Sequence, residues 1–216
     1  TLAQADFPIL QANLEDDGQY GIAQIPVEDY VEKVVGPEGV KVAILGIGNH
    51  RVPNYELPSN IPGLTFTNPM DKAQELASAL RPTNDVVVAL THIGFTEQPG
   101  SVEVDNNVDT FMAANVTGLD TIIGGHSHTN PQYGFGPYKY LPTIIGDPSN
   151  SPVLVNHAYR YNNTLGEISI GLRPKDGGGY EVVSQAGRYI AVASTTAEDP
   201  TINTLIQPYV DLLAAY

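Results

Sequence analysis

The stretch DVVVALTH, residues 85–92, decides the fold class of this chain. Its β-branched and uninterrupted apolar run is typical of a strand that is buried on both faces in a parallel sheet. A helix is predicted before it over residues 68–80, where Asn68 is a favourable N-cap and the apolar residues form one stripe. Another helix is predicted over residues 105–115, followed by the strand LDTIIGG at 119–125. Strands therefore alternate with helices, which predicts an α/β fold with crossover connections.

The segments on either side extend this pattern. Before the first helix, FPILQANL at 7–14 is predicted as a short buried strand and VKVAILG at 40–46 as a clear buried strand that ends in glycine. After residue 130 the sequence predicts antiparallel strands that close a sheet. A final helix is predicted to begin at Asp199 and to be interrupted at Pro208, because proline removes a backbone donor.

Charge and composition exclude several classes of function. The chain has 216 residues, of which 42% are hydrophobic, and its formal net charge is −14. An acidic chain without a basic stripe argues against a nucleic-acid polymer as partner. The sequence has no apolar run of the roughly 18–20 residues that would span a bilayer. With only ten Lys and Arg residues, an enzyme of this composition that acted on an anion would obtain a positive centre most simply from a metal ion.

The candidate metal ligands are histidines. The chain contains no cysteine, so a metal would take His, Asp, Asn or Glu ligands, which suit Zn, Mn or Fe. His126 and His128 follow a strand and two glycines in IIGGHSHT at 122–129, and His92 ends another predicted strand. Because the carboxyl ends of parallel strands share one edge of a sheet, we expect all three imidazoles at that edge. The sequence therefore predicts a metal site there.

Other polar residues leave alternatives open. His50 follows a strand in GIGNH, where a solvated loop residue is the simpler interpretation. His157 lies in a strand pattern and is interpreted as a hydrogen-bonded strand residue or as a group that supports a metal ligand. A hydrolase with one metal held by these histidines alone would need a carboxylate from Asp85 or Asp120, and neither is well placed in the sequence. Capping or solvent exposure adequately explains those two residues and Asp109.

Two motifs of this chain resemble a known family. VVVALTHIG at 86–94, followed by DTIIGGHSHT at 120–129, resembles the calcineurin-like metallophosphoesterases. Within them it is similar to the 5′-nucleotidase family, which includes UDP-sugar hydrolases and 2′,3′-cyclic nucleotide phosphodiesterases. The likeness runs nearly the full length, through LVNHAYRYNNTLGEISI at 154–170 and DPTINTLIQPYVDLL at 199–213. It implies a metallophosphoesterase-type α/β sandwich with αββα layers, incomplete without upstream strands.

The resemblance also implies a site with two divalent metal ions. His92 and His126 would bind one ion and His128 the other, with Zn, Mn and Fe not distinguished. The activity implied is hydrolysis of a small, nucleotide-like phosphoester by a metal-activated hydroxide. The family's D-x-H block, its bridging Asp and its GNHE block would lie upstream of Thr1. No catalytic residue is therefore expected in this chain itself.

The segment GNH at 48–50 resembles the family's third block but is interpreted as a decoy. It follows the wrong strand, and it lacks the acidic residue that should come next. Asn49 and His50, together with Asn156 and His157, are kept as candidates for positions at the substrate mouth or behind the metal ligands.

The same resemblance suggests a domain organisation. Residues 1–195 would form the C-terminal portion of a metallophosphoesterase catalytic domain, and residues 196–216 a helix leading towards an absent C-terminal domain. We expect a companion polypeptide to carry the upstream ligand motifs, and the family implies an extracellular or periplasmic location. The alternative is a catalytically inactive metallophosphoesterase-like module that serves binding or structure.

Overall fold

The computed structural model describes residues 5–19, 21, 27–96, 106–130 and 142–216. Its strands are β1 (Ile9–Leu10), β2 (Leu14–Asp16), β3 (Val27–Glu28), β4 (Tyr30–Val35), β5 (Val40–Ile47), β6 (Leu64–Phe66), β7 (Val86–Thr91), β8 (Thr121–Gly124), β9 (Thr143–Gly146), β10 (Pro152–His157), β11 (Thr164–Pro174) and β12 (Tyr180–Ala191). Its helices are α1 (Val52–Tyr55), α2 (Pro69–Leu80), α3 (Asp109–Asn115) and α4 (Pro200–Ala214), with a short 3-10 turn at Pro58–Asn60.

A mixed sheet of six strands forms the centre of the fold, in the order β4-β5-β7-β8-β10-β9. The four inner strands run parallel, and β4 and β9 are antiparallel edge strands. The register places Leu45, Ala89, Ile122 and Val155 side by side across the inner strands, and all four are fully buried. The α/β class predicted from the sequence is therefore confirmed, and the carboxyl ends of the four inner strands share one edge.

Helices α2 and α3 cover the face of the sheet to which these buried residues point. The side chain of Asn68 caps α2 as predicted, because its oxygen accepts hydrogen bonds from the backbone N–H groups of Met70 (2.8 Å) and Asp71 (3.3 Å). Ala73 of α2 and Met112 of α3 are fully buried in the core beneath. None of the helices in the described part of the chain is long and apolar enough to cross a membrane.

Among the described residues, the carboxyl half of the opposite face of the sheet is covered only at its sides. Leu10 packs against the backbone of Gly46 on β5, and Tyr189 of β12 hydrogen-bonds to a side chain of β10. Between them lie Leu90 of β7 and Ile123 of β8, which are neighbours in register. They remain 46% and 40% exposed, although the rest of the sheet centre is buried. We call Leu90 and Ile123 the open strip.

The long hairpin formed by β11 and β12 is held to the sheet by polar contacts. The amide of Gln185 donates to the carbonyl oxygen of Asp120 at 2.8 Å, and the N–H of Tyr180 donates to the carboxylate of Asp85 at 2.6 Å. These contacts join the hairpin to the amino ends of β7 and β8. The antiparallel strands predicted after residue 130 are present as this hairpin and as the β9–β10 pair. The prediction that they close the sheet is wrong, because the hairpin is a separate two-stranded sheet.

The segment at 7–14 differs from its predicted single strand. It contains β1, which pairs with β3, and the start of β2, which pairs with β6, so neither strand joins the central sheet. The cause is Asn13, which is fully buried between them. Its side chain exchanges hydrogen bonds with the backbone of Gly48 (2.8 and 3.0 Å) and donates to the carbonyl of Thr67 (3.1 Å). These bonds fix the chain in a non-strand conformation at that point.

The predicted interruption of the last helix at Pro208 is wrong. Helix α4 runs unbroken from Pro200 to Ala214 and buries none of its side chains. Proline has no N–H for the carbonyl of Thr204, but Thr204 is exposed, so water can replace the missing donor. An exposed helix therefore tolerates the residue without ending.

Candidate metal centre

All five histidines of the chain lie at the carboxyl edge of the parallel strands. His50 follows β5 and His92 follows β7, whereas His126 and His128 follow β8 and His157 is the last residue of β10. The topology alone brings them together, because the four parallel strands end at the same edge. The predicted ligand set is therefore placed at one edge of one sheet.

The rings of His92 and His126 lie against each other at this edge. Their ring centroids are 5.2 Å apart, and the ring planes are inclined at 71°. Gly125 makes the approach possible, because a Cβ at that position would lie 3.0 Å from Nδ1 of His92. A larger residue would have to displace the ring. Gly125 is therefore explained by the space that His92 needs.

The loop that carries His126 and His128 has an uncommon backbone. Both residues lie in the left-handed region, with φ of +80° and +50°, which costs energy for residues other than glycine. Ser127 between them holds the loop in place. Its hydroxyl oxygen accepts from the N–H of Phe95 at 3.0 Å and shares a 2.7 Å hydrogen bond with Thr129. Strain of this kind, held by surrounding contacts, is common at functional sites.

The environment of His126 favours the uncharged ring. Burial lowers the pKa of His126, and the nearby basic groups of His92, Arg51 and His128 lower it further. Neutral imidazole is the form that binds metals, since its second nitrogen then carries a free lone pair. The donor chemistry of this pair thus fits a divalent ion of the zinc, manganese or iron type.

The GNH segment at 48–50 lies closer to this site than its interpretation as a decoy implied. The amide nitrogen of Asn49 is 3.2 Å from Nε2 of His126, and its oxygen accepts from the N–H of Arg51 at 2.8 Å. His50 instead lies 3.4 Å from the amide of Asn107. The segment thus contacts the predicted ligands through Asn49 and not through its histidine.

His157 belongs to a buried network next to the loop that carries His126 and His128. Its Nε2 donates to the carboxylate of Asp109 at 2.5 Å, and the hydroxyl of Thr91 donates to the other carboxylate oxygen at 2.6 Å. Asp109 is fully buried and His157 nearly so. A Cβ on Gly124 would collide with both side chains. One carboxylate therefore connects the ends of β7, β8 and β10.

Asp109 is the residue that sequence reasoning missed. Its position at the start of a helix suggested capping or solvent exposure, which is wrong for a side chain without any exposed surface. Nothing in its local pattern distinguishes it from other acidic residues that begin helices. Its partner His157 is 48 residues away in the sequence.

Asn156, the neighbour of His157, points to the other face of β10. It is buried, and its oxygen accepts a hydrogen bond from the hydroxyl of Tyr189. Burial raises the pKa of Tyr189, so this phenol remains protonated and acts as the donor. Asn156 thus ties the long hairpin to the carboxyl end of β10.

The carboxylates considered for a one-metal site lie at the wrong edge of the sheet. Asp85 precedes β7 and accepts hydrogen bonds from the N–H groups of Lys41 (2.8 Å) and Tyr180 (2.6 Å). Asp120 precedes β8 and forms an ion pair of 2.7 Å with Arg81. Both are at the amino ends of their strands, opposite the histidines, so the one-metal alternative is wrong. Across the described ranges, no three His, Asp or Glu side chains form a group that could hold a metal ion.

Comparisons with known proteins identify the relatives of this chain. No family model matches it. A 5′-nucleotidase of Homo sapiens is 28% identical over 214 residues, which cover 96% of this chain and 34% of that protein. A 5′-nucleotidase of Diplobatis ommata is 26% identical over 224 residues, covering 100% of this chain and 35% of that protein. This chain is similar to the 5′-nucleotidases. A snake venom 5′-nucleotidase of Crotalus adamanteus is 26% identical over 93% of the chain and 32% of the venom protein.

Solved structures agree on the fold of this chain. The 5′-nucleotidase precursor from Thermus thermophilus superposes with a TM-score of 0.74 and 24% identity, over 98% of this chain and 40% of that one. The calcineurin-like phosphoesterase YfkN from Bacillus subtilis gives 0.73 and 24%, over 98% of this chain and 64% of that one. The resemblance read from the two histidine motifs is therefore confirmed. The chain spans about a third of the length of the curated relatives it matches.

Proposed function

We propose that this chain is part of a metal-dependent phosphoester hydrolase of the 5′-nucleotidase type that acts on small, nucleotide-like phosphoesters. The observation that carries the proposal is the contact between His92 and His126, whose imidazole rings are 5.2 Å apart at the carboxyl edge of β7 and β8, the edge at which His128 also lies. The similarity to curated 5′-nucleotidases supports the same reaction class.

In this proposal His92 and His126 hold one divalent ion and His128 holds a second. A pair of such ions supplies a nucleophilic water-derived oxygen at neutral pH and neutralises charge on the phosphoryl oxygens. The residues of the chain prepare the site for them. Asn49 orients the ring of His126, and the Asp109 network supports the neighbouring loop. An acidic protein of net charge −14 would thus bind an anion through its metals.

The remaining metal ligands and the catalytic acid–base groups are proposed to lie on sequence outside this chain, on a companion polypeptide or in the same longer protein. The open strip supports this idea, because an apolar sheet face beside a functional edge is usually covered. A strand or loop that brought further ligands to the edge would pack there. We also propose an extracellular or periplasmic location, for which the venom relative is the support.

The test uses the protein as isolated, together with any chain that co-purifies with it. Elemental analysis should find close to two transition-metal ions per complex, and the complex should release phosphate from a nucleoside 5′-monophosphate. The substitution His126→Ala should lower turnover by about 100-fold or more, since it removes a ligand from the metal that stabilises the transition state.

The matched control is His50→Asn, which changes a histidine at the same edge that is not a proposed ligand. Its metal content should equal that of the unsubstituted protein. A fully ordered complex without metal and without turnover would instead support the catalytically inactive binding or structural module. Mass spectrometry of the co-purified material identifies the companion polypeptide. If the chain bound two metal ions as a lone monomer, a companion polypeptide would not be needed.

A further inference from the structure

Two segments of the chain match the acceptor pattern for N-linked glycosylation, which is Asn-x-Ser or Asn-x-Thr with x other than proline. The first acceptor segment is Asn-Val-Thr at 115–117, and the second acceptor segment is Asn-Asn-Thr at 162–164. A pattern of three residues arises by chance in many proteins, so the surroundings of each segment decide whether it carries a glycan. The modified atom is the side-chain nitrogen of the asparagine, which must lie at the surface.

The second acceptor segment lies in an exposed turn between β10 and β11. The N–H of Asn163 donates to the carbonyl of Arg160 at 3.2 Å, which closes a β-turn with Tyr161 and Asn162 at its central positions. Both central residues have positive φ, +56° and +54°, a conformation that asparagine tolerates better than most residues. Asn162 is therefore held at the tip of the turn, where it is exposed.

The two side chains that the reaction requires are free in this turn. Neither the amide of Asn162 nor the hydroxyl of Thr164 hydrogen-bonds to another group in the described part of the chain. Thr164 lines a cavity of about 570 Å³ that is open to solvent, so this residue can also be reached from outside. A transferase could therefore contact both side chains without breaking a hydrogen bond of the fold.

The first acceptor segment is held by the fold at each of its three positions. Nδ2 of Asn115, the atom that would be glycosylated, donates to the carbonyl of Phe111 at 2.9 Å. Val116 is only 2% exposed and belongs to the hydrophobic core. The N–H of Thr117 donates to the side-chain oxygen of Gln74 at 2.9 Å, and its hydroxyl also bonds to that side chain. Glycosylation there would compete with each of these contacts.

The order of synthesis favours the second acceptor segment as well. Chains fold from their N-terminal part while they are made, so a segment stays accessible for as long as its folding partner is missing. Gln74, which holds Thr117, precedes it in the sequence. Thr164 instead pairs with Ala191, which is made later. The second acceptor segment is thus still unpaired after the first has all its partners.

Apolar side chains flank the second acceptor segment at the surface. Tyr161 directly before it is 77% exposed, and Leu165 directly after it is 58% exposed. A glycan is a bulky, solubilising group. Attached to Asn162, it would cover both side chains and keep them from contacts with other molecules.

We infer that Asn162 is an acceptor for N-linked glycosylation and that Asn115 stays unmodified. The co-reactant is an oligosaccharide carried on a polyprenyl diphosphate. The bond between C1 of its first sugar and the diphosphate oxygen breaks, and a bond forms between C1 and Nδ2 of Asn162. Polyprenyl diphosphate leaves, and the amide gives up one proton to a base of the transferase. The inference rests on the extracellular location proposed above and is independent of the proposed hydrolysis.

The test directs the protein into the secretory pathway of a eukaryotic host cell with an added signal peptide, and purifies it with any chain that co-purifies. Enzymatic release of glycans in heavy-oxygen water converts each glycosylated asparagine into labelled aspartate. Peptide mass spectrometry should find the label at Asn162 and none at Asn115. Asn162→Gln and Thr164→Ala should each abolish glycosylation, whereas Thr164→Ser should retain it. Asn115→Gln is the matched control and should leave the glycan mass unchanged.

Cell-free translation with endoplasmic-reticulum microsomes gives a second readout that requires neither secretion nor a stable fold. The chain should gain the mass of one glycan, and Asn162→Gln should lose it. An unmodified Asn162 in either measurement, or a label at Asn115 as strong as that at Asn162, would overturn the inference. If Asn162 is labelled in the directed protein but the native protein is found inside cells, the acceptor site stands and only the proposed location fails.

Discussion

The buried pair of Asp109 and His157 should behave as one energetic unit, and its strength can be worked out from its surroundings. The carboxylate has no exposed surface and bonds to His157 at 2.5 Å and to Thr91 at 2.6 Å. His157→Ala leaves that carboxylate buried with a single hydroxyl donor. Removing a hydrogen-bond partner from a buried charged group costs about 3 kcal/mol or more. That is a large part of the roughly 5–15 kcal/mol that stabilises a typical domain.

The pair is tested by a double-mutant cycle of Asp109→Asn, His157→Ala and the combination. Asp109→Asn removes the charge but keeps an oxygen for Thr91, so we expect a smaller loss of about 1–2 kcal/mol. The double variant should lose less stability than the sum of the single variants, with a coupling energy of about 2 kcal/mol. The measurement is equilibrium unfolding in urea, monitored by circular dichroism. The dependence of the unfolding free energy on urea concentration should be the same in all variants, so that the midpoints report differences in stability.

The control cycle uses Glu167 and Arg188, which pair at 2.8 Å on the exposed hairpin. Solvent screens this pair, so its coupling should be too small to resolve. A coupling below about 0.5 kcal/mol between Asp109 and His157 would refute the reasoning, since the two side chains would then contribute independently.

Three further substitutions test other parts of the structure. Gly124→Ala should lower the free energy of unfolding by about 1–3 kcal/mol, because its Cβ collides with Asp109 and His157; urea titration measures this. Asp199 caps α4, and hydrogen bonds from the N–H groups of Ile202 and Thr201 lower the pKa of its carboxyl group in the folded state. The ionised cap therefore stabilises the helix fully at pH values above the pKa of the unfolded chain, and this stabilisation is lost as the pH falls through the lower pKa of the folded state. Circular dichroism should therefore show α4 losing helicity at low pH, and Asp199→Asn should remove that dependence. Leu90→Asp in the open strip should weaken binding of a companion chain in a pull-down without lowering the melting temperature, whereas Leu165→Asp, at a 58% exposed position on the hairpin, should change neither.

The sequence was sufficient to predict the parallel strands and the edge that carries the site. Strand β7 and helix α2 were predicted because an apolar β-branched run and a capped amphipathic stripe are local signals. The placement of His92 and His126 at one edge followed from the parallel topology and needed no knowledge of distances. Local pattern and strand direction were therefore enough for the general position of the candidate ligands.

The contacts that define the site in detail depend on pairings that sequence periodicity does not encode. Asn13 splits a predicted strand because it bonds to backbone groups 35 and 54 residues away. Asn49 contacts His126, which is 77 residues away in the sequence, and Asp109 bonds to His157, which is 48 residues away. Each of these polar residues also has an ordinary local explanation, as a turn, a loop or a helix start. Only the three-dimensional structure distinguishes a long-range contact from such a local role.

Contacts within the chain hold the loop that carries His126 and His128 in its observed conformation. Next to it, the Asp109 carboxylate connects three strand ends, and within it Ser127 bonds to Phe95, so the left-handed backbone of His126 and His128 is held by contacts within the described residues. A ligand set that is fixed in advance loses little conformational entropy on binding. The sheet face away from α2 and α3 lacks such contacts near this edge, because the side chains of the open strip remain exposed there. In our proposal, the edge is thus held by internal contacts where this chain would supply ligands and is uncovered where further ligands would arrive.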